Sequence, residues 1–209
     1  LLDGTTLYVG GNFTNIGGQA RNRIAALDTT VNTTNATTWN PDSNNVVNIM
    51  VISGTTLYVG GTFTNIGGSA RNRIAALDTT TNTTNATAWN PNSNNTVDTL
   101  LLNGTTLYVG GAFTNIGGSG RSYIAALNTL VNTNNATAWN PSSSGRIYCM
   151  VLSGTTLFVG GDFLMIGGQI RLSTAAINTL VNTNNATASN PTSIGGAAYS
   201  MVLNGTTLY

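Results

Sequence analysis

The ionisable side chains of this chain are few: seven basic residues, all Arg (21, 23, 71, 73, 121, 146 and 171), six acids, all Asp (3, 28, 42, 78, 98 and 162), a handful of Tyr and the single Cys149; Lys, Glu and His are absent. General acid-base chemistry draws mainly on His, Glu, Lys or paired Asp, and here only scattered Asp and Tyr are left. The Asp residues fall on loops or on positions that recur along the chain: Asp28 and Asp78 correspond to Asn128 and Asn178, so a turn-capping role common to all four explains them. The expectation is a protein that is not an enzyme, with no catalytic residues and no cofactor. Hard oxygen ligands suit calcium, and Asp162, standing where other copies have Asn12, Thr62 and Ala112, is the one weak candidate ligand. No Asp-x-Asp-x-Asp-Gly loop supports it. Cys149 aligns with Ile49, Thr99 and Ser200, which reads as a small core residue rather than a nucleophile.

Other residues recur too regularly to ignore. Arg21, Arg71, Arg121 and Arg171 stand at one position of four successive copies. A guanidinium repeated in this way suits a structural task, donating several hydrogen bonds to carbonyls of an adjoining loop; a ring of anion-binding sites is the alternative. Trp39, Trp89 and Trp139, with Phe13, Phe63, Phe113 and Phe163, read as packing between units, with a sugar-stacking platform as the alternative. The triplets Asn85-Ala86-Thr87 and Asn135-Ala136-Thr137 are glycosylation sequons by pattern.

The elements that must position these residues follow from a repeat of 50 residues, marked by Gly4, Gly54, Gly104 and Gly154, with Gly205 one residue late. An insertion within Ser193 to Ala198 accounts for the slip. Repeats of this length build solenoids, propellers or arrays. Each unit reads as four short strands. The first, Val46 to Ile52 and its counterparts Val97 to Leu102, Ile147 to Leu152 and Ala198 to Leu203, is apolar on both faces, as in a strand sandwiched on both sides. A turn at Ser53-Gly54-Thr55-Thr56 leads to the second, Leu57 to Thr64; the dipeptides Asn103-Gly104 and Asn204-Gly205 strengthen the hairpin reading. Gly60-Gly61 inside that strand predicts a bulge or a close backbone approach. The third strand runs from Arg73 to Asp78, its paired alanines implying tight contact between sheets, and the fourth from Ala86 to Trp89, stopped by Pro91. Helical periodicity is missing. The class is all-β: tandem four-stranded antiparallel blades, a β-propeller or propeller-like repeat array.

The combination Leu-Tyr-Val-Gly-Gly-x-Phe-Thr-Asn-Ile-Gly-Gly, Arg-Asn-Arg-Ile-Ala-Ala-Leu-Asp and Ala-Trp-Asn-Pro resembles the delta-60 type repeat of bacterial secreted β-propeller proteins, over essentially the whole of 1–209. The resemblance implies a surface or secreted propeller and no defined activity. Unit four departs from the pattern, with Leu164-Met165 for Thr64-Asn65, Ser173 for Arg73 and Ser189 for Trp89.

The expected organisation is a single repeat domain, 1–209, with units at about 1–45, 46–95, 96–145 and 146–196 and a partial fifth at 197–209, cut from a longer chain. Charged residues make up 6% and the formal net charge is +1, so no basic field favours nucleic acid, and no apolar run approaches the ~20 residues that span a bilayer. A surface of Asn, Thr, Ser and Gly suggests an extracellular or cell-surface location. The expected function is a non-enzymatic structural or adhesive repeat protein, with partners that are further copies of the repeat, joined through strand exchange between chain ends; the alternative is a secreted propeller binding a glycan or peptide. Leu1 to Tyr8 and Val202 to Tyr209 are one element written twice, which is the basis for the strand-exchange idea.

Overall fold

The structure, a computed structural model, describes residues 1–191 and 196–209. Half of the stretch Ser193 to Ala198, where the insertion is expected, therefore lies outside the described residues. The chain is all-β: strands, turns and bends account for its regular structure, and no helix is long and apolar enough to cross a membrane.

Each complete unit is a three-stranded antiparallel sheet with the second strand in the middle. In unit two the strands are Val47–Ser53, Thr56–Gly61 and Ile74–Asp78; unit three repeats them at Val97–Asn103, Thr106–Gly111 and Ile124–Asn128, and unit four at Arg146–Ser153, Thr156–Asp162 and Thr174–Asn178. Unit one has Thr6–Gly10 and Ile24–Asp28 in full, but only Leu2–Asp3 for its first strand.

Two turn chemistries set the registers. Ser53 pairs with Thr56, so Gly54 and Thr55 are the central residues of the first hairpin; only Gly54 has positive φ, at 55°. Glycine at the first central position is the requirement of a type II′ turn. Asn103 consequently ends a strand, opposite Thr106, and is not a turn residue, although Asn-Gly drew attention to the right place. The second turn follows the middle strand. It is a hairpin of two-residue strands, Asn65–Ile66 against Ser69–Ala70, closed by Gly67 and Gly68 with φ of 61° and 74°.

The expected fourth strand shrinks to a single bridge, Leu77 with Ala86, flanked by backbone bonds from Asp78 N to Asn85 O and from Thr87 N to Ala76 O. The reason is that the segment leaves its own sheet at once. Trp89 N turns back onto Thr87 Oγ1, while the indole and Asn90 reach the next unit.

The core sits between units. Along the middle strand, Leu57 and Val59 point one way and Tyr58 the other. Leu57, Val59, Ala75 and Leu77 pack with Tyr8, Ile24, Ala26 and Trp39 of unit one, whereas Tyr58, Ile74, Ala76 and Trp89 pack with Leu107, Val109, Ala125 and Leu127 of unit three. The same junction recurs between units three and four. One alanine of each pair faces each way, and both are buried in unit two, which lets neighbouring sheets approach on both sides.

Gly60 and Gly61 serve both purposes the sequence suggested, one each. A β-carbon on Gly60 would strike the Val97 side chain of the next unit and lie 2.9 Å from Ile49 Cγ2; one on Gly110 would lie 2.8 Å from Ile147 Cγ2. The first glycine is thus the seat for the neighbouring unit's first strand. The second lies against the unit's own backbone, at the carbonyl of Val46, where the register slips between Val47 and Ile49 and leaves Asn48 as the extra bulge residue.

Gly60→Ala is expected to destabilise the protein by about 1–3 kcal/mol through overpacking at the junction. Gly120→Ala, where a β-carbon meets nothing within 4 Å and φ is not positive, is expected to be neutral or slightly stabilising. Urea denaturation of the two variants side by side checks this.

Candidate functional site

Of the residues singled out by type and spacing, the tryptophans and Phe63, Phe113 and Phe163 lie at the junctions between successive units, and the repeated arginines act within their own unit. Each repeated Arg sits just after the Gly-Gly hairpin. Arg71 donates from Nη1 to the carbonyl of Ala70 at 2.8 Å and from Nη2 to that of Thr87 at 2.6 Å. Arg21, Arg121 and Arg171 repeat the pair with Ala20 and Thr37, Gly120 and Thr137, and Ile170 and Thr187. The guanidinium therefore ties the short hairpin to the strap that follows the third strand. Burial pushes the Arg71 and Arg121 pKa values down.

The strap leads to the tryptophan. Trp89 is buried, meets Tyr58 edge to face at 5.2 Å, and donates from Nε1 to Asn128 O at 3.2 Å. Trp39 and Trp139 make the equivalent bonds to Asp78 O and Asn178 O, each 3.1 Å. A tryptophan in this position meets a tyrosine of its own unit, packs against the next unit and hydrogen-bonds to it. Burial raises the Tyr58 pKa, opposed by the hydroxyl of Thr129 across the junction. Phe63, Phe113 and Phe163 are buried in the same seams. Phe13, in unit one, is only half-buried.

The Asp and Asn residues that end the third strands form Asx turns. Asp78 Oδ1 accepts from Thr80 N at 2.8 Å, as Asn128 Oδ1 does from Leu130 N at 2.9 Å. The Thr80 hydroxyl and amide hold the Asp78 carboxyl below the ordinary aspartate range, and Thr30 does the same for Asp28. Asp162 is exposed, and among the described residues no group of three or more His, Cys, Asp or Glu comes together. Cys149 is half-buried, its Sγ 3.6 Å from Ala198 O, and burial pushes its thiol pKa up. The two sequon asparagines, Asn85 and Asn135, are each 2% exposed and donate to Thr81 O and Val131 O. Neither presents its amide for modification in the folded state.

Two rows of residues escaped the sequence reading. The bulge residues reach from one unit to the next: Asn48 Nδ2 donates to Val97 O at 3.3 Å, Asp98 forms a two-bond ion pair with Arg146, both contacts 2.7 Å, and Tyr148 stacks on Tyr199 at 4.8 Å. The second row is an open polar notch at each junction, lined in turn by Asn40, Asn90 and Asn140 with the proline that follows each. The recurring Asn-Pro dipeptide was its signal, read only as a strand end.

Sheets that bury both faces against their neighbours, with first strands in successive contact, are what stacked propeller blades require. Three segments of the chain, 3–30, 56–80 and 106–129, match the family described as Domain of unknown function (DUF5122) beta-propeller. The chain is a propeller-like repeat domain. The matched segments carry the second strand, the Gly-Gly hairpin and the third strand of units one to three. No curated protein matches the chain.

Two outcomes are expected at the junctions of this propeller-like repeat. Trp89→Phe keeps a ring against Tyr58 but orphans the Asn128 carbonyl, at a cost of about 1–3 kcal/mol in equilibrium denaturation. Asp78 has a depressed folded-state pKa, so its contribution to stability is present above the ordinary value of 3.8 and is lost as pH falls through the folded-state value. Asp78→Asn, which copies Asn128, is expected to flatten the acid limb of a thermal-melt profile and leave the neutral-pH melting temperature essentially unchanged.

Proposed function

We propose that the chain is a non-catalytic extracellular scaffold, structural or adhesive, that extends itself by repeating its own inter-unit junction between molecules. The resemblance to delta-60 repeats of secreted bacterial proteins points to the same setting, as does a surface that relies on Asn, Thr and Ser with 6% charged residues.

The observation that carries the reading is the inter-unit junction itself, built three times in succession from matching faces. In units two and three Leu57, Val59, Phe63 and their counterparts Leu107, Val109 and Phe113 are all 0% exposed. On unit one the same face is formed by Leu7, Val9 and Phe13, all only half-buried. At the other end, Val202 and Tyr209 flank the hairpin Leu203–Asn204 with Thr207–Leu208 and are 59% and 70% exposed. A face of this kind on one molecule and its counterpart on another have the build of the junction that the chain forms three times. Such a contact is heterologous and extends head to tail. The alternative, a propeller that binds glycan or peptide, has its own support in the polar notches that recur at the junctions.

Light scattering across a concentration series, with negative-stain microscopy, tests the assembly. The expected result is a mass rising above the 21.6 kDa of one chain, and reversion towards one chain in Val9→Asp with an unchanged circular dichroism spectrum. A single 21.6 kDa species at every concentration, or assembly indifferent to Val9→Asp, overturns it.

A further inference from the structure

We infer that the hairpin turn at Asn103-Gly104 is a self-modification site, at which the chain converts its own asparagine, without an enzyme, into aspartate and isoaspartate. Asn204-Gly205 is a second copy of the same site.

The chemistry needs three things at once: a carbamoyl group free to move, a following backbone N–H that is not hydrogen-bonded, and no side chain on that following residue to block the approach. Other asparagines of the fold fail on one or more of them. Asn40, Asn90 and Asn140 precede proline, which has no N–H to lose. Asn94 is held by its side chain, whose Oδ1 accepts from Thr114 N and Asn115 N while Nδ2 donates to Thr114 Oγ1. Asn85 and Asn135 are buried, and the amide after each is engaged, Ala86 N with Gly67 O and Ala136 N with Gly117 O. Only Asn103 and Asn204 are followed by glycine, the residue that permits a close backbone approach.

Asn103 meets all three conditions. It ends the first strand of unit three opposite Thr106, and Gly104 opens the turn with φ of 57°. Both residues are exposed. Among the described residues neither the Asn103 carbamoyl nor the Gly104 N–H has a hydrogen-bond partner, and a β-carbon on Gly104 would meet nothing within 4 Å, so the space around the attacking nitrogen is open. Asn204 repeats the arrangement opposite Thr207, with Gly205 at φ 60°. Units two and four carry Ser53 and Ser153 at this place and unit one carries Asp3.

The Gly104 amide gives its proton to hydroxide and the nitrogen attacks Asn103 Cγ. A bond forms from Gly104 N to Cγ, the bond from Cγ to Nδ2 breaks, and Nδ2 takes a proton from water and leaves as ammonia. Water then opens the five-membered imide at one of its two carbonyls. Cleavage between Gly104 N and Cγ leaves aspartate; cleavage between Gly104 N and the Asn103 backbone carbonyl carbon leaves isoaspartate, with the chain running through Cγ.

The two products differ in what they do to the fold. Aspartate keeps the turn, since Asp3 already holds this place opposite Thr6 with Gly4 at φ 55°. Isoaspartate adds a backbone carbon between two fixed points, the pair of Asn103 with Thr106 and the Thr105 carbonyl, which accepts from Thr129 N at 2.9 Å and Thr129 Oγ1 at 3.0 Å. Both products add a carboxylate. With seven Arg and six Asp in the chain, conversion at the two sites takes the formal net charge from +1 to −1, so the sign of the protein's net charge changes with age.

The test incubates the folded chain at neutral and at mildly alkaline pH and reads the peptides spanning Asn103 and Asn204 by mass spectrometry, with aspartyl and isoaspartyl forms separated by chromatography. A urea-denatured sample gives the intrinsic reactivity. The expected result is conversion of both asparagines in the folded chain ahead of all others, at a rate that rises with hydroxide, and two successively more acidic bands on isoelectric focusing. Asn103→Ser, which copies Ser53 and Ser153, is expected to remove one acidic band and leave Asn204 converting. Asn103→Asp is expected to melt with the parent chain, and the isoaspartyl fraction below it. Asn103 left intact in the folded chain while the denatured sample converts, conversion spread evenly over the asparagines, or a rate indifferent to pH overturns the inference.

Discussion

A short sheet that is apolar on both faces has no side to turn towards water, and the rest of this structure depends on that constraint. Leu57 and Val59 on one face and Tyr58 on the other require a neighbour before and a neighbour behind. Hydrophobic burial is therefore a property of pairs of units, as in other quasi-one-dimensional folds. The glycine at position 60 sets how close a pair can come, and the two alanines of the third strand match that spacing on both faces. Polar contacts then fix orientation: the tryptophan indole crosses to the next unit's carbonyl, and each arginine holds the strap that delivers the tryptophan.

This arrangement accounts for a composition that has few charges. Charged pairs contribute little at an exposed surface, and among the described residues one ion pair, Asp98 with Arg146, joins units. Hydrogen bonds from Asn and Thr side chains to backbone do the remaining work. Asn94 anchors the start of one hairpin and Thr87 holds the amide of Trp89. Those bonds need the repeated backbone geometry, including left-handed residues such as Arg73 and Asn92 with φ of 62° and 54°. The repeated sequence recurs because the repeated backbone does.

Much of the fold was legible in the sequence, since period, alternation and turn glycines act within one unit. The first three strands, the hairpin at Gly54 and the special standing of Gly60-Gly61 all follow from residues a few positions apart. What escaped depends on the neighbouring unit. Ala86 to Trp89 has the pattern of a strand, yet the indole's bond to Asn128 draws it away from its own sheet after one bridge. The Gly67-Gly68 hairpin was missed because strands of two residues leave no alternation to read. The notches were hidden for a similar reason: Asn90 and Asn134 are 44 residues apart in sequence, and Asn90 alone reads as the residue before a proline. Asn85 reads as a sequon until its burial is known.

The bulge at the start of the first strand in units two to four has a consequence for how the chain finds its order. In a protein of near-identical units, the misfold closest at hand is a pairing displaced by one whole repeat, which the core residues would scarcely notice. The bulge adds one residue outside the ladder, free of the packing that makes the rest uniform, and there units two to four differ: Asn48, Asp98 and Tyr148. Asp98 meets Arg146, and Tyr148 meets Tyr199. A displaced pairing would set the carboxylate against a partner without charge and the tyrosine against an amide. The irregular residue thus acts as an address, telling interchangeable blades which neighbour is theirs.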